Sequence, residues 1–215
     1  MKLSLPIAPA LAPALLFASC QFGAGSAEPL EAPVSDHLET DASRAQRFDE
    51  IGPYRRAVTT SSEEAQRYFD QGLAWMYSFN HDEAIRSFAR AAELDPACAM
   101  AWWGISICEG PNYNDPVMTD ERSGAAWSAL KEAEARAGNT SPVERGLIEA
   151  LAARYAFPWP EDRTALNEAY AAAMEALLVR FPEDPEVGTL YGESLMVLRP
   201  WQLYTIDRLP EADTA

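Results

Sequence analysis

From Ser61 onward, apolar residues recur at intervals of three and four, and short groups containing Pro, Gly or Asn interrupt them. That period belongs to helices with one buried face, and it predicts helices over roughly 63–79, 82–94, 97–109, 120–137, 141–155, 162–180 and 185–198. No stretch alternates in the manner of a half-buried strand. Ser61 and Glu64 have the spacing of a capping box, which marks the first helix start. Helices joined by such short connections pack as antiparallel pairs, so the expected fold class is all-α.

The helices also repeat. Tyr68, Gly72, Trp75, Ala84, Phe88 and Pro96 fit the tetratricopeptide spacing W-x2-L-G-x2-Y…A-x3-F…P, with Gln71 in the Leu slot. One repeat length further on, about 34 residues, Trp102 answers Tyr68, Ile105 takes the Leu slot and Ser106 answers Gly72. Ala126, Leu130 and Ala133 reproduce Ala84, Phe88 and Ala91 about eight residues late, after the inserted loop "EGPNYNDPVMTD". A third pair carries Leu147, Leu151 and Tyr155, then Tyr170, Met174 and Leu177, with Pro182 closing it as Pro96 closes the first. A further first helix, "EVGTLYGESLMVL", follows without a partner. The chain therefore resembles tetratricopeptide repeat proteins. The runs "AQRYFDQGL", "FNHDEAIRSF", "LDPACAMAWWGI" and "GPNYN" are similar to those of exported bacterial members. The resemblance implies a right-handed α-solenoid of antiparallel helix pairs, about three and a half repeats over residues 61–200. Because such proteins are generally longer, it also implies that this chain is the N-terminal part of one, with 201–215 an uncapped tail. It implies a fold and no reaction.

Composition narrows the setting. A net charge of −16 speaks against nucleic acid and against anionic membrane surfaces, both of which need clustered Lys and Arg. "MKLSLPIAPALAPALLFASC" has one cation before an apolar run ending in small residues, the form of an export signal over residues 1–20. Two endings compete. "FASC" resembles a lipobox, with Phe17 where Leu is usual, and would place a lipid on Cys20; "GSA" before Glu28 has the form of an ordinary cleavage site. The expected location is the periplasm, or the outer membrane as a lipoprotein attached only through Cys20. Residues 21–60 read as a flexible tether and N-terminal extension, with His37 a solvated linker residue.

Candidate sites are few. His81 stands where a helical hairpin turns, with Asn80 making the turn and Asp82 and Glu83 suiting a helix N-terminus, so it reads as a hinge and not a ligand. Cys98 and Cys108 lie about 15 Å apart along one helix, too far to pair, and read as buried core. Phe69, Leu73, Met76 and Tyr77, with Trp103 and Ile107 of the next repeat, form a stripe beside the core stripe and are candidates for an apolar peptide groove. Burial of that stripe against residues 44–60 or the inserted loop is an equal alternative. Chaperone-binding tetratricopeptide grooves carry Lys, Asn and Arg here, where this chain has Gln66, Phe69 and Leu73. Asn112, Tyr113 and Asn114 in the inserted loop are candidates for recognition at the rim, or else form an ordered spacer. No catalytic, cofactor or metal motif occurs. The expected function is a protein- or peptide-binding scaffold of the bacterial cell envelope. The alternative is the N-terminal helical part of an enzyme or enzyme subunit whose catalytic elements lie outside this chain.

Overall fold

Polar side chains fix most of the helix starts. The computed structural model describes residues 41–199; the expected signal with Cys20, the first part of the tether and the tail from residue 200 lie outside the described residues. Residues 41–44 are helical, and seven helices follow residue 62: α1 (Glu63–Tyr77), α2 (His81–Leu94), α3 (Ala99–Glu109), α4 (Asp120–Arg136), α5 (Pro142–Ala152), α6 (Thr164–Arg180) and α7 (Pro185–Val197). A short 3-10 turn, Ala137–Asn139, links α4 to α5. No strand occurs among the described residues. Side chains of Ser62, Asn80, Thr119, Ser141 and Asp184 accept free backbone N–H groups at the starts of α1, α2, α4, α5 and α7. The capping box lies at Ser141 and Glu144 on α5. At α1, Ser62 is the cap, and Ser61, expected in that role, instead donates its N–H to Asp95 at 2.8 Å.

Helices adjacent in sequence pack against one another, α1 on α2, α2 on α3, α3 on α4, α5 on α6 and α6 on α7. The core between them depends on missing side chains. Phe88 of α2 is fully buried, and a Cβ placed on Gly72 of α1 or on Gly104 of α3 would stand 2.6 Å from its ring. One aromatic side chain thus fills a slot left by two glycines on the flanking helices. Gly146 of α5 and Leu177 of α6 repeat the arrangement, with a Cβ there 2.3 Å from Leu177 Cδ1. At Ser106 the small side chain is polar, and its hydroxyl donates to the Ala126 carbonyl at 2.8 Å. Pro96 and Pro182 each stand two residues beyond the last residues of α2 and α6. Cys98 and Cys108 are buried and unpaired.

Candidate functional site

The expected groove stripe is core. Phe69, Leu73, Met76, Trp103 and Ile107 are buried, and Phe69 packs on Phe88 with ring centroids 5.4 Å apart. Of the two readings of the stripe, groove or burial, these residues follow burial, though against neighbouring helices. The apolar arc of α1 is wider than the Tyr68–Gly72–Trp75 stripe and continues through Phe69, Met76 and Leu73, so those residues face neighbouring helices. Only Tyr77 keeps an exposed ring, 37% accessible, and its hydroxyl donates to Glu186 of α7.

The inserted loop folds back on itself. Asn112 Oδ1 accepts from the N–H groups of Asn114 (2.9 Å) and Asp115 (3.0 Å), closing an Asx turn. Tyr113 is buried and Asn114 is exposed. Arg122 at the start of α4 ties the loop down through the carbonyls of Glu109 and Gly110 and the Asp115 carboxylate. Asn112 Nδ2 lies 3.4 Å from His81 Nδ1, which brings the loop to the α1–α2 turn. His81 itself is the first residue of α2. Burial, and then the Arg122 cation, hold its pKa below the ordinary histidine value.

What lies on α1 is a strap formed by residues 46–61, which has no regular secondary structure. The side chains of α1 hold it mainly by its backbone. Gln71 accepts from Phe48 N–H at 2.8 Å and donates to the Gln46 carbonyl at 2.8 Å. Gln66 accepts from Val58 N–H at 2.9 Å and donates to the Arg56 carbonyl at 2.7 Å. Asp70 accepts the Arg56 N–H at 3.0 Å. Distant helix ends supply the remaining contacts. Glu144 at the start of α5 accepts both the N–H and the hydroxyl of Thr59 at 2.6 Å, and Asp95 beyond α2 accepts from Thr60 and Ser61. Asp184 before α7 forms a two-pronged ion pair with Arg56 at 2.9 and 3.1 Å, while Tyr54 and Tyr77 both donate to Glu186. Burial works against ionisation of Asp184, yet Arg56 together with the N–H groups of Val187 and Glu186 outweighs it and keeps the carboxyl below its usual range. Burial, with Glu186 alongside, raises the pKa of Tyr54 and of Tyr77, so both stay protonated donors.

A second charged group is buried between α5, α6 and α7. The Arg154 side chain is 1% accessible, lies 3.7 Å from Glu193 of α7 and sits 4.5 Å above the Tyr170 ring. Arg163 donates to the Arg154 carbonyl at 2.7 Å and has the Tyr155 ring beneath it. The Tyr155 hydroxyl donates to the Ser106 carbonyl at 2.8 Å, and burial pushes its pKa up to about 12. On the outside, Trp127, Phe157 and Trp159 form an aromatic cluster beneath Lys131, which lies 4.1 Å from the Trp127 ring. Repeat spacing singled out Tyr155, Tyr170 and Ser106 as core positions, but not Arg154, Arg163, Glu193 or the aromatic cluster, whose partners are set by tertiary packing.

Glu109, at the end of α3, shows the electrostatics of this acidic chain directly. Burial pushes its pKa up from 4.5 to about 7, and Arg122 opposes the shift. A carboxyl whose folded pKa is raised stabilises the fold below its unfolded value and loses that contribution as pH climbs through the folded one. The contribution of Glu109 to stability will therefore fall between about pH 4.5 and pH 7, and Glu109→Gln will remove that fall from the profile. Urea midpoints measured across that range for both proteins check this; parallel curves would refute the assignment to Glu109.

Among the described residues no group of three His, Cys, Asp or Glu is placed to hold a metal, and no helix is long and apolar enough to cross a membrane. Of the expected groove residues only Tyr77 joins the strap's contacts, through Glu186; the α1 side chains that hold the strap are Gln66, Asp70 and Gln71. No family model, curated protein or solved structure matches the chain.

Proposed function

We propose that this chain is a tetratricopeptide-type scaffold of the bacterial cell envelope, exported and attached through a lipid on Cys20, that binds protein or peptide. The solenoid reading is supported by the recurring contact of a small residue with a large one, Gly72 and Gly104 with Phe88 and Gly146 with Leu177, and by the equivalent placing of Pro96 and Pro182. One observation carries the binding reading. The polar side chains of α1, Gln66, Asp70 and Gln71, hold a non-helical segment through its backbone N–H and C=O groups. Amide side chains that pair with backbone recognise a polypeptide as such, with little regard to its sequence.

Cross-linking of the full chain in envelope extract, followed by mass-spectrometric mapping, tests this. The expected result is a second polypeptide linked repeatedly to a continuous helix face. Linkage no greater than that of an unrelated acidic helical protein would refute the scaffold reading. The mass of the mature N-terminus tests attachment separately, because a lipid on Cys20 and cleavage after Ala27 give different products.

A further inference from the structure

We infer that residues 46–60 are a removable occupant, and that the surface beneath them is a docking groove for a second non-helical polypeptide segment. That segment would carry an aromatic residue, a cation two positions later, and hydroxyl residues after that. The inference rests on the scaffold reading and names the partner chemistry for its α1 face.

The floor of the groove is built for such an occupant. Gln66, Gln71, Asp95, Glu144 and Glu186 are all buried, and each has hydrogen-bond partners in the strap. Ionised carboxylates only accept, so whatever lies on them must donate, as the strap does with backbone N–H groups, hydroxyls and a guanidinium. Burying a carboxylate without a partner is costly, so the floor calls for an occupant whenever it is covered. The Asp184–Glu186 pair selects for a cation flanked by a hydroxyl-bearing ring, the roles of Arg56 and Tyr54.

Before Ile51 the strap is anchored by Phe48, whose ring stands edge-on to Trp75 at 5.4 Å, and by Arg47 over the Tyr68 ring; residues 51–60 have few apolar anchors. Tyr54 is 46% accessible, and Gly52, Pro53, Arg55 and Ala57 are exposed. Among residues 51–60 only Val58 packs against the core. A segment with few buried apolar contacts opens locally at a free energy well below that of global unfolding. Gln71 fits the same account. It stands where the repeat spacing expects an apolar residue, and instead clamps the Gln46 carbonyl and the Phe48 N–H.

The groove is tested with a fluorescent peptide of the strap sequence IGPYRRAVTT and the full chain. Because the tethered strap competes at an effective concentration on the order of millimolar, the unmodified protein will bind the peptide weakly. In the variant Tyr54→Phe/Arg56→Ala the floor is intact and the strap is loosened. Its affinity should rise about tenfold or more, and should fall about tenfold when the peptide's second Arg is replaced by Ala. In the unmodified chain, the amides of Arg56 and Val58 should exchange with deuterium before those of α1. A folded variant that fails to bind overturns the proposal, as do strap amides that exchange only with the helices. Loss of the helical spectrum in the variant also overturns it, because the segment would then be integral to the fold. A partner cross-linked elsewhere on the helices would leave the scaffold reading standing, whereas peptide binding without any cross-linked partner would leave the groove standing alone.

Discussion

Truncation of Phe88 to alanine will cost about 3–5 kcal/mol of stability, which is enough to threaten the fold of a marginally stable domain. The ring is fully buried and fills space created by two glycines, Gly72 and Gly104, on either side. Those backbones belong to separate helices held apart by their other packed residues, so collapse into the vacated slot is limited and a cavity remains. Guanidinium unfolding, with circular dichroism as the probe, measures the loss; a change below about 1 kcal/mol would mean that the slot closes freely. Adding a methyl group from the other side should also destabilise. Gly104→Ala brings a Cβ to 2.6 Å from the ring, and overpacking of this kind costs about 1–3 kcal/mol. Destabilisation from both directions is the signature of a filled slot, and it separates this site from an ordinary core phenylalanine.

Removing Glu193 is expected to have the next largest effect, about 3 kcal/mol for Glu193→Ala, because Arg154 would then be left buried without a counter-charge. The Arg154 side chain is almost wholly inaccessible, its Nε and Nη2 have no hydrogen-bond partner, and the nearest carboxylate oxygen is at 3.7 Å. Such a pair is expensive to break and cheap to replace. Arg154→Met combined with Glu193→Leu should therefore recover most of the loss, with a stability within about 1 kcal/mol of the unmodified protein or above it. With the single variants Arg154→Met and Glu193→Leu, the double variant and the unmodified protein form a double-mutant cycle, and strictly additive losses would refute the coupling. Tyr170 beneath the guanidinium is the third member, and its burial raises its pKa, so it remains a neutral ring under the cation.

Most of the helix framework was legible in the chain because periodicity and caps are local signals. The expected starts at 63, 120 and 185 and the expected ends at 94, 109 and 180 coincide with the observed helices. Gly72 and Phe88 were readable as a close contact; the approach of Gly104 to the same ring was not, since repeat spacing pointed to Ser106. The misreadings came from tertiary context. Periodicity tells which arc of α1 is buried and not how far the burial extends, so Phe69 and Leu73 read equally as groove or as buried stripe, and they are core. Gln71 read as a misfit in the Leu slot of the repeat and Gln66 as a residue of the groove stripe. They are buried because a segment upstream in the chain supplies backbone partners, and no local pattern encodes that. The N-cap of α1 is Ser62 and not Ser61, because Ser61 is claimed by Asp95 just beyond α2, and with Ala65 as the third helical residue no capping box forms there.

The ties from Tyr54 and Arg56 to Glu186 and Asp184 change how the helices come apart. Contacts made mainly between successive helices give a row that frays from its ends, since each terminal member loses only one neighbour when it leaves. Here the segment before the first long helix is fastened to the start of the last described one, across sequence separations of 132 and 128 residues. The open zipper becomes a loop with a clasp. While the clasp holds, α7 cannot peel away without also breaking bonds to the strap, and unfolding takes on the all-or-none character of a closed ring. When the clasp is released, α7 is free to fray while the pairs behind it remain folded.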